Sequence, residues 1–132
     1  MSLRLLDTNI WIALARNEPG PVSRLRKLVP AEVATCSVVR AELLFGARKS
    51  RRVADNLEGF RLLLEPYISL PFDENAAAHY GMIRATLEQA GTPIGANDLL
   101  IASIAMAHDC LLVTRNNREF TRVVGLPVEV WH

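Results

Sequence analysis

Several features that define other protein classes are scarce in this chain of 132 residues. Its longest uncharged apolar stretch, residues 99–107, is about half the roughly 20 residues that a transmembrane helix needs. The only cysteines are Cys36 and Cys110, and neither lies in a CxxC pair or a His-rich segment. We therefore expect no membrane span, no signal sequence and two buried thiols without a disulfide, as in a cytosolic protein.

An excess of charge of one sign is also missing. The chain has 15 Lys and Arg against 14 Asp and Glu, for a net charge of +1. Any binding of nucleic acid must therefore come from local basic patches. The glycine fingerprints GxxxxGK and GxGxxG do not occur, which argues against a P-loop or a dinucleotide site. An aspartate-nucleophile phosphatase would need a second Asp two positions after Asp7, where this chain has Asn9.

No repeat, linker or low-complexity tract divides the sequence, so we expect one domain over residues 1–132. Short apolar runs predict strands at 3–6, 33–37, 68–70 and 111–113, with an edge strand at 128–130. Helical spacing predicts one helix that begins near Ile10 and four more at 38–47, 53–64, 76–90 and 99–108. Pro19, Gly20 and Pro21 are interpreted as the end of an element. Alternating strands and helices indicate an α/β fold with a short, mainly parallel central sheet between two helical layers.

Three polar residues, Asp7, Thr114 and Asn116, lie at the carboxyl ends of predicted strands. The carboxyl ends of parallel strands meet at one edge of a sheet, and ligands of open α/β sheets bind there. Asp7 could equally be an ordinary helix N-cap, and the same holds for Asp98 before its helix. The sequence predicts a ligand site at this edge and leaves the capping alternative open.

Glu42 is harder to explain as a surface residue. It is flanked by apolar residues on a helix that we expect to be mostly buried, and an unpaired buried carboxylate is costly. It therefore needs a cation, a metal ion or a solvent-filled cleft. Together Asp7, Glu42 and Asp98 suggest one acidic pocket, and oxygen ligands of this type suit Mg²⁺ or Mn²⁺. The three histidines show no zinc-binding spacing.

Four segments in this order and spacing resemble the PIN-domain ribonucleases, and among them the VapC toxins of bacterial toxin–antitoxin pairs. They are residues 5–9 (LLDTN), 37–46 (SVVRAELLFG), 95–102 (GANDLLIA) and 112–120 (LVTRNNREF). The resemblance covers essentially the whole chain, and it implies a PIN-like three-layer α/β/α fold.

The resemblance also implies roles for individual residues. The family's acidic metal ligands correspond to Asp7, Glu42 and Asp98, and Thr8 and Thr114 match small hydroxyl residues that line the same pocket. The fourth family motif has two acidic positions. This chain has Asn116 at the first and Glu119 at the second, just before Phe120, and one extra residue separates the two. We expect Asn116 to ligate or to orient water, and its loss to reduce activity more than loss of Glu119.

The activity implied by the resemblance is that of a metal-dependent endoribonuclease toxin, with initiator tRNA cut in the anticodon loop as the suggested substrate. Metal would offset the acidic pocket, and cations around it would hold phosphates. The candidates are Arg48, Lys49, Arg51 and Arg52 on one side and Arg115, Arg118 and Arg122 on the other. The implied partners are a VapB-type antitoxin, a second copy of the chain, and operator DNA in a larger complex in the bacterial cytoplasm.

A second interpretation belongs to a different functional class. A PIN domain whose active site has decayed could bind RNA or protein without catalysis, and Asn116 would then mark the decay. The presence of Asp7, Glu42 and Asp98 together argues against it.

Overall fold

A five-stranded parallel sheet forms the centre of the computed structural model, which describes residues 3–132. The strands are β1 (Arg4–Leu6), β2 (Val33–Cys36), β3 (Ile68–Leu70), β4 (Leu111–Thr114) and β5 (Val128–Val130). Their order is β3-β2-β1-β4-β5, and all four pairings are parallel. The first strand in the sequence is thus the central one, and the predicted α/β class is confirmed.

Helices cover both faces of this sheet. They are α1 (Thr8–Ala15), α2 (Pro19–Arg26), α3 (Ser37–Arg48), α4 (Val53–Leu64), α5 (Glu74–Gln89) and α6 (Ala96–Ala107). Leu5 and Leu6 on the central strand are both fully buried. Successive residues of a strand point to opposite faces, so neither face is open to solvent at that position. Helix α5 packs mainly against α6, and α1 packs against α2, α3 and α4.

Helix α2 was missed in the sequence because Pro19, Gly20 and Pro21 indicated a break. In the structure Pro19 is the first helical residue and Pro21 the third, and Pro21 is buried. The first turn of a helix has no intrahelical partners for its N–H groups, so proline loses nothing there and its fixed φ favours the helix. The same residues that end a helix elsewhere begin one here.

Two expectations about the acidic residues need correction. Asp98 is not an N-cap: Gly95 is the cap of α6, and Asp98 is the third residue of the helix. Helix α3 is not mostly buried either, because only Val39, Leu43 and Ala47 are buried while Glu42 is half-buried. Asp7 does cap α1, since its side chain accepts a hydrogen bond from the Thr8 N–H.

The core combines the central strands with two buried tryptophans. Trp11 on α1 is fully buried and donates its indole N–H to the Leu6 carbonyl at 3.0 Å, which ties the helix to the strand before it. Cys36 and Cys110 are free and buried, as predicted, and burial raises the pKa of each thiol to about 11. No helix within residues 3–132 is long and apolar enough to cross a membrane.

Truncation of a buried residue on a central strand should be costly. Leu112 on β4 is fully buried, and we expect Leu112→Ala to lower the free energy of unfolding by about 2–5 kcal/mol through lost burial and a residual cavity. The matched control is Leu62→Ala on α4, where the side chain is 56% exposed and the change should stay within about 0.5 kcal/mol. Urea unfolding measures both, and equal losses would contradict the assigned core.

Candidate active site

The site begins where β1 and β4 end side by side. Leu6 pairs with Val113, and the Asp7 N–H donates to the Val113 carbonyl at 2.8 Å, which continues the pairing by one residue. Thr114 then lies beside Asp7, and its hydroxyl donates to Asp7 Oδ2 at 2.8 Å. The Thr8 N–H donates to Asp7 Oδ1, also at 2.8 Å. Both oxygens of the Asp7 carboxylate are therefore held in place.

Asp7 is a buried carboxylate, with 6% of its surface exposed. Its pKa is raised, chiefly by burial; the hydrogen bonds from Thr114 and Thr8 act in the opposite direction, and the nearby charge of Glu42 adds to the rise. Within residues 3–132 no Lys or Arg forms an ion pair with Asp7. A helix cap alone does not require a buried charge, and a bound cation would stabilise the charged form of Asp7 in this environment.

Glu42 reaches the same edge from α3. Its Oε1 accepts a hydrogen bond from the Thr8 hydroxyl at 2.6 Å, and its Oε2 accepts one from the Asn97 side-chain amide at 3.1 Å. The partners of this carboxylate are thus neutral donors on α1 and α6. Asn97 was not singled out from the sequence, although it stands directly before Asp98 in the third motif.

Asp98 and Glu119 complete the acidic group. The pKa of Asp98 is raised to about 6, first by burial and then by the negative charges of Asp7, Glu119 and Glu42, with a hydrogen bond to Glu119 adding to the rise. Glu119 Oε1 also accepts the Gly95 N–H at 2.7 Å, which places it at the start of α6. Asp7, Glu42 and Glu119 are therefore close enough to Asp98 for their charges to disfavour its ionisation.

Asn116 makes its hydrogen bonds within the turn that follows β4. Its side-chain carbonyl accepts the Arg118 N–H at 3.1 Å, and its backbone N–H and carbonyl both lie 3.3 Å from the Thr114 hydroxyl. These contacts shape the turn after β4. Glu119 lies close enough to Asp98 for its charge to raise the pKa of Asp98.

The basic residues around the site differ in how free they are to bind phosphate. Arg115 pairs with Glu18 at 2.5 Å, Arg52 pairs with Asp55 at 2.6 Å, and Arg122 donates to the Pro93 carbonyl at 2.8 Å. Among the candidate cations named from the sequence, Arg48, Lys49, Arg51 and Arg118 are exposed and form no ion pair in the described part of the chain.

The donor set fits a divalent metal ion. As the side chains stand, no three His, Cys, Asp or Glu residues among 3–132 form a ready-made metal-binding group, and the oxygens of Asp7 and Glu42 accept from neutral donors. The clustered groups are all oxygen donors, however, and the pKa values of Asp7 and Asp98 are raised first by burial and further by the negative charge of neighbouring carboxylates. Mg²⁺ and Mn²⁺ prefer such ligands, and Asp7, Glu42, Asp98 and Glu119 are the residues that could hold one.

Comparison with known proteins identifies relatives over nearly the whole chain. The family model for the PIN domain matches residues 4–126. The tRNA(fMet)-specific endonuclease VapC of Shigella flexneri is 39% identical over 131 residues, which cover 96% of each chain. Ribonuclease VapC2 of Rickettsia felis is 36% identical over 129 residues, again 96% of each chain.

Solved structures agree with these matches. DNA-bound VapBC from Salmonella typhimurium aligns with a TM-score of 0.93 at 35% identity and covers 100% of both chains. VapBC2 from Rickettsia felis, bound to a DNA fragment from its promoter, aligns with a TM-score of 0.92 at 34% identity, covering 98% of this chain and 99% of the other.

The raised pKa of Asp98 predicts how stability depends on pH without metal. Its folded-state pKa of about 6 lies above the ordinary 3.8, so the folded protein keeps a proton that the unfolded chain releases. Asp98 thus favours the folded state below about pH 4, and this contribution is lost as the pH rises through about 6. With a chelator present, the unmodified protein should lose this contribution between pH 4 and 7, and Asp98→Asn has none to lose. The free energy of unfolding of the variant should therefore rise relative to that of the unmodified protein over this range.

The control for this measurement is Asp55→Asn, which alters an exposed carboxylate paired with Arg52. Urea unfolding at several pH values compares the three proteins. Parallel pH profiles for Asp98→Asn and the unmodified chain would contradict the assigned environment of Asp98.

Proposed function

Because the chain belongs to the PIN-domain family and is a ribonuclease toxin of the VapC type, we propose that its acidic edge hydrolyses RNA phosphodiester bonds with the help of Mg²⁺ or Mn²⁺. The observation that carries the proposal is a cluster of four carboxylates in which Asp7 is buried and has no ion-pair partner in residues 3–132. The decayed-site alternative would have no use for this costly arrangement.

Each residue has a part in this activity. Asp7, Glu42 and Asp98 would hold the metal ion, which lowers the pKa of water and stabilises the charge that develops on phosphate. Thr114 and Thr8 orient Asp7, and Thr8 also orients Glu42, so the two carboxylates keep a fixed geometry. Glu119 accepts from the Gly95 N–H at the start of α6, close to Asp98, and this position supports Glu119 as the fourth acidic residue. Asn116 shapes the turn that leads to it.

The proposed substrate is initiator tRNA, cut in the anticodon loop. It rests on the relative from Shigella flexneri, which is named a tRNA(fMet)-specific endonuclease and shares 39% of its residues with this chain. Arg48, Lys49 and Arg118 are exposed and would hold the RNA phosphates beside the acidic edge. Arg115 is paired with Glu18, and its backbone N–H donates to the Asn9 side chain, so its guanidinium would contribute less to phosphate binding.

We further propose that the protein works in the bacterial cytoplasm under the control of a VapB-type antitoxin. The VapBC complexes that share its fold, two of them bound to DNA, support this partner and a larger assembly on operator DNA. We also propose a homodimer as the basic unit of that assembly.

Removal of one carboxylate charge tests the proposed chemistry. We expect Asp7→Asn to lower ribonuclease activity by more than about a hundredfold, since even residues that only support a metal site typically contribute 10- to 100-fold. The amide can still cap α1, so the fold should persist by circular dichroism. Asp55→Asn, a surface change of the same kind, should leave activity unchanged, and chelation of divalent metal should stop the unmodified enzyme. RNA cleavage by a folded Asp7→Asn protein at the normal rate would disprove the assignment.

The environments of Glu119 and Asn116 predict unequal losses, in the opposite order to the one expected from the sequence. Glu119→Gln removes a charge beside Asp98 and should reduce kcat strongly. Asn116→Ala removes only a hydrogen bond to the Arg118 N–H and should reduce it about 10-fold or less. Steady-state cleavage of one RNA substrate by both variants measures this difference. A nearly normal Glu119→Gln with an inactive Asn116→Ala would restore the original expectation.

A further inference from the structure

An exposed aromatic ring lies one helical turn from the proposed metal ligand Glu42. Phe45 is on α3, three residues after Glu42, and 65% of its surface is exposed. Residues three apart share one face of a helix, with Cβ atoms about 5–6 Å apart. The proposed mechanism gives this ring no role, and exposing it to water is unfavourable in the free protein.

Phe45 and Glu42 line the same open groove between α3 and α6. The groove has a volume of about 400 Å³, and Val38 and Leu100 provide further apolar surface. Asn97 lines it as well, and its amide N–H group already donates to Glu42. The side-chain carbonyl of Asn97 is therefore the group available to accept a hydrogen bond from a ligand.

A cation accompanies the ring. The Lys49 ammonium lies 5.1 Å from the centroid of Phe45, and Lys49 makes no ion pair within residues 3–132. Arg48, beside it, is exposed. An aromatic face next to unpaired cations is the combination with which proteins bind single-stranded nucleic acid: bases stack on the ring and phosphates meet the cations.

The alternative occupant is an apolar protein surface, and the charges in the groove disfavour it. Such a surface would bury Glu42 and Lys49 together with Phe45, and neither charge has an ion-pair partner in the described residues. Burying unpaired charges is costly. A nucleobase has a flat apolar face for the ring and a polar edge for Asn97, and it leaves the charges at the margin of the groove in contact with water and phosphate.

We propose that Phe45 is the stacking platform for an unpaired base of the RNA adjacent to the cleaved phosphodiester, with Lys49 at the phosphate of that nucleotide. The proposal rests on the ribonuclease function proposed above and specifies its substrate: the base next to the cut must be free to leave the helical stack. Double-stranded RNA is then a poor substrate even where its sequence matches.

The test combines a protein change with a substrate change. The proteins are the unmodified chain, Phe45→Ala, Phe45→Trp and the control Leu62→Ala, which truncates another exposed apolar residue, 56% exposed on α4. The substrates are an anticodon stem-loop of initiator tRNA and the same RNA with an abasic nucleotide on either side of the cut. On intact RNA we expect Phe45→Ala to lower kcat/KM about fivefold to a hundredfold, while Phe45→Trp and Leu62→Ala remain near normal.

The abasic RNA provides the readout that a merely structural role would not affect. At the stacked position, removal of the base should slow the unmodified enzyme to the rate of Phe45→Ala on intact RNA. Phe45→Ala acting on this abasic RNA should be no slower than either change alone. A 2-aminopurine base at that position should lose fluorescence on binding to Asp7→Asn and keep it with the double variant Asp7→Asn/Phe45→Ala.

Several outcomes would overturn the inference. One is an equal effect of Phe45→Ala on intact RNA and on both abasic RNAs. Others are a change of oligomeric state, or a loss of inhibition by antitoxin, with RNA cleavage unaffected; the ring would then be a protein contact. These results differ from a failure of the proposed function itself, in which the unmodified chain cuts no RNA or Asp7→Asn cuts it normally.

Discussion

The pairing of β1 with β4 is the constraint on which the acidic site depends. It extends through the hydrogen bond from the Asp7 N–H to the Val113 carbonyl and so brings Thr114 against the Asp7 carboxylate. These two strands are distant in sequence, and their neighbouring ends create a contact that no local segment could form. Thr8, next in the chain, then connects Asp7 to Glu42. The remaining acidic residues are arranged around this pair.

That arrangement opposes the stability of the protein. Burial of Asp7 and the mutual repulsion of its neighbours raise the pKa of Asp7 and of Asp98, which means that their charged forms are disfavoured in the folded state. The fold tolerates this because the surrounding core is extensive and because hydroxyl and amide donors hold the carboxylates in place. A cation bound only by the folded protein would recover this energy, so ligand binding and stability are coupled at this edge.

Much of the architecture could be predicted from local patterns. The strands β3 and β5 and helix α4 begin and end where periodicity indicates, because their apolar spacing agrees with their surroundings. Helix α2 could not be found in this way, since the prolines that normally end a helix occupy its first turn. Helix α3 was expected to be more buried than it is, because apolar composition alone does not distinguish a core face from an exposed one. The candidate acidic residues were identified by type and position, but the contacts of Asn97 and Glu119 depend on how α3, α6 and the turn after β4 meet.

The two buried thiols have a consequence for how the protein behaves under oxidative stress. With a pKa of about 11, each cysteine is a thiolate in only about one molecule in ten thousand at neutral pH, and the thiolate is the form that peroxides attack. Cys36 is the last residue of β2 and leads directly into the helix that carries Glu42, so its oxidation would displace a proposed metal ligand. A thiol that stays protonated at this position protects the placement of Glu42 from oxidation.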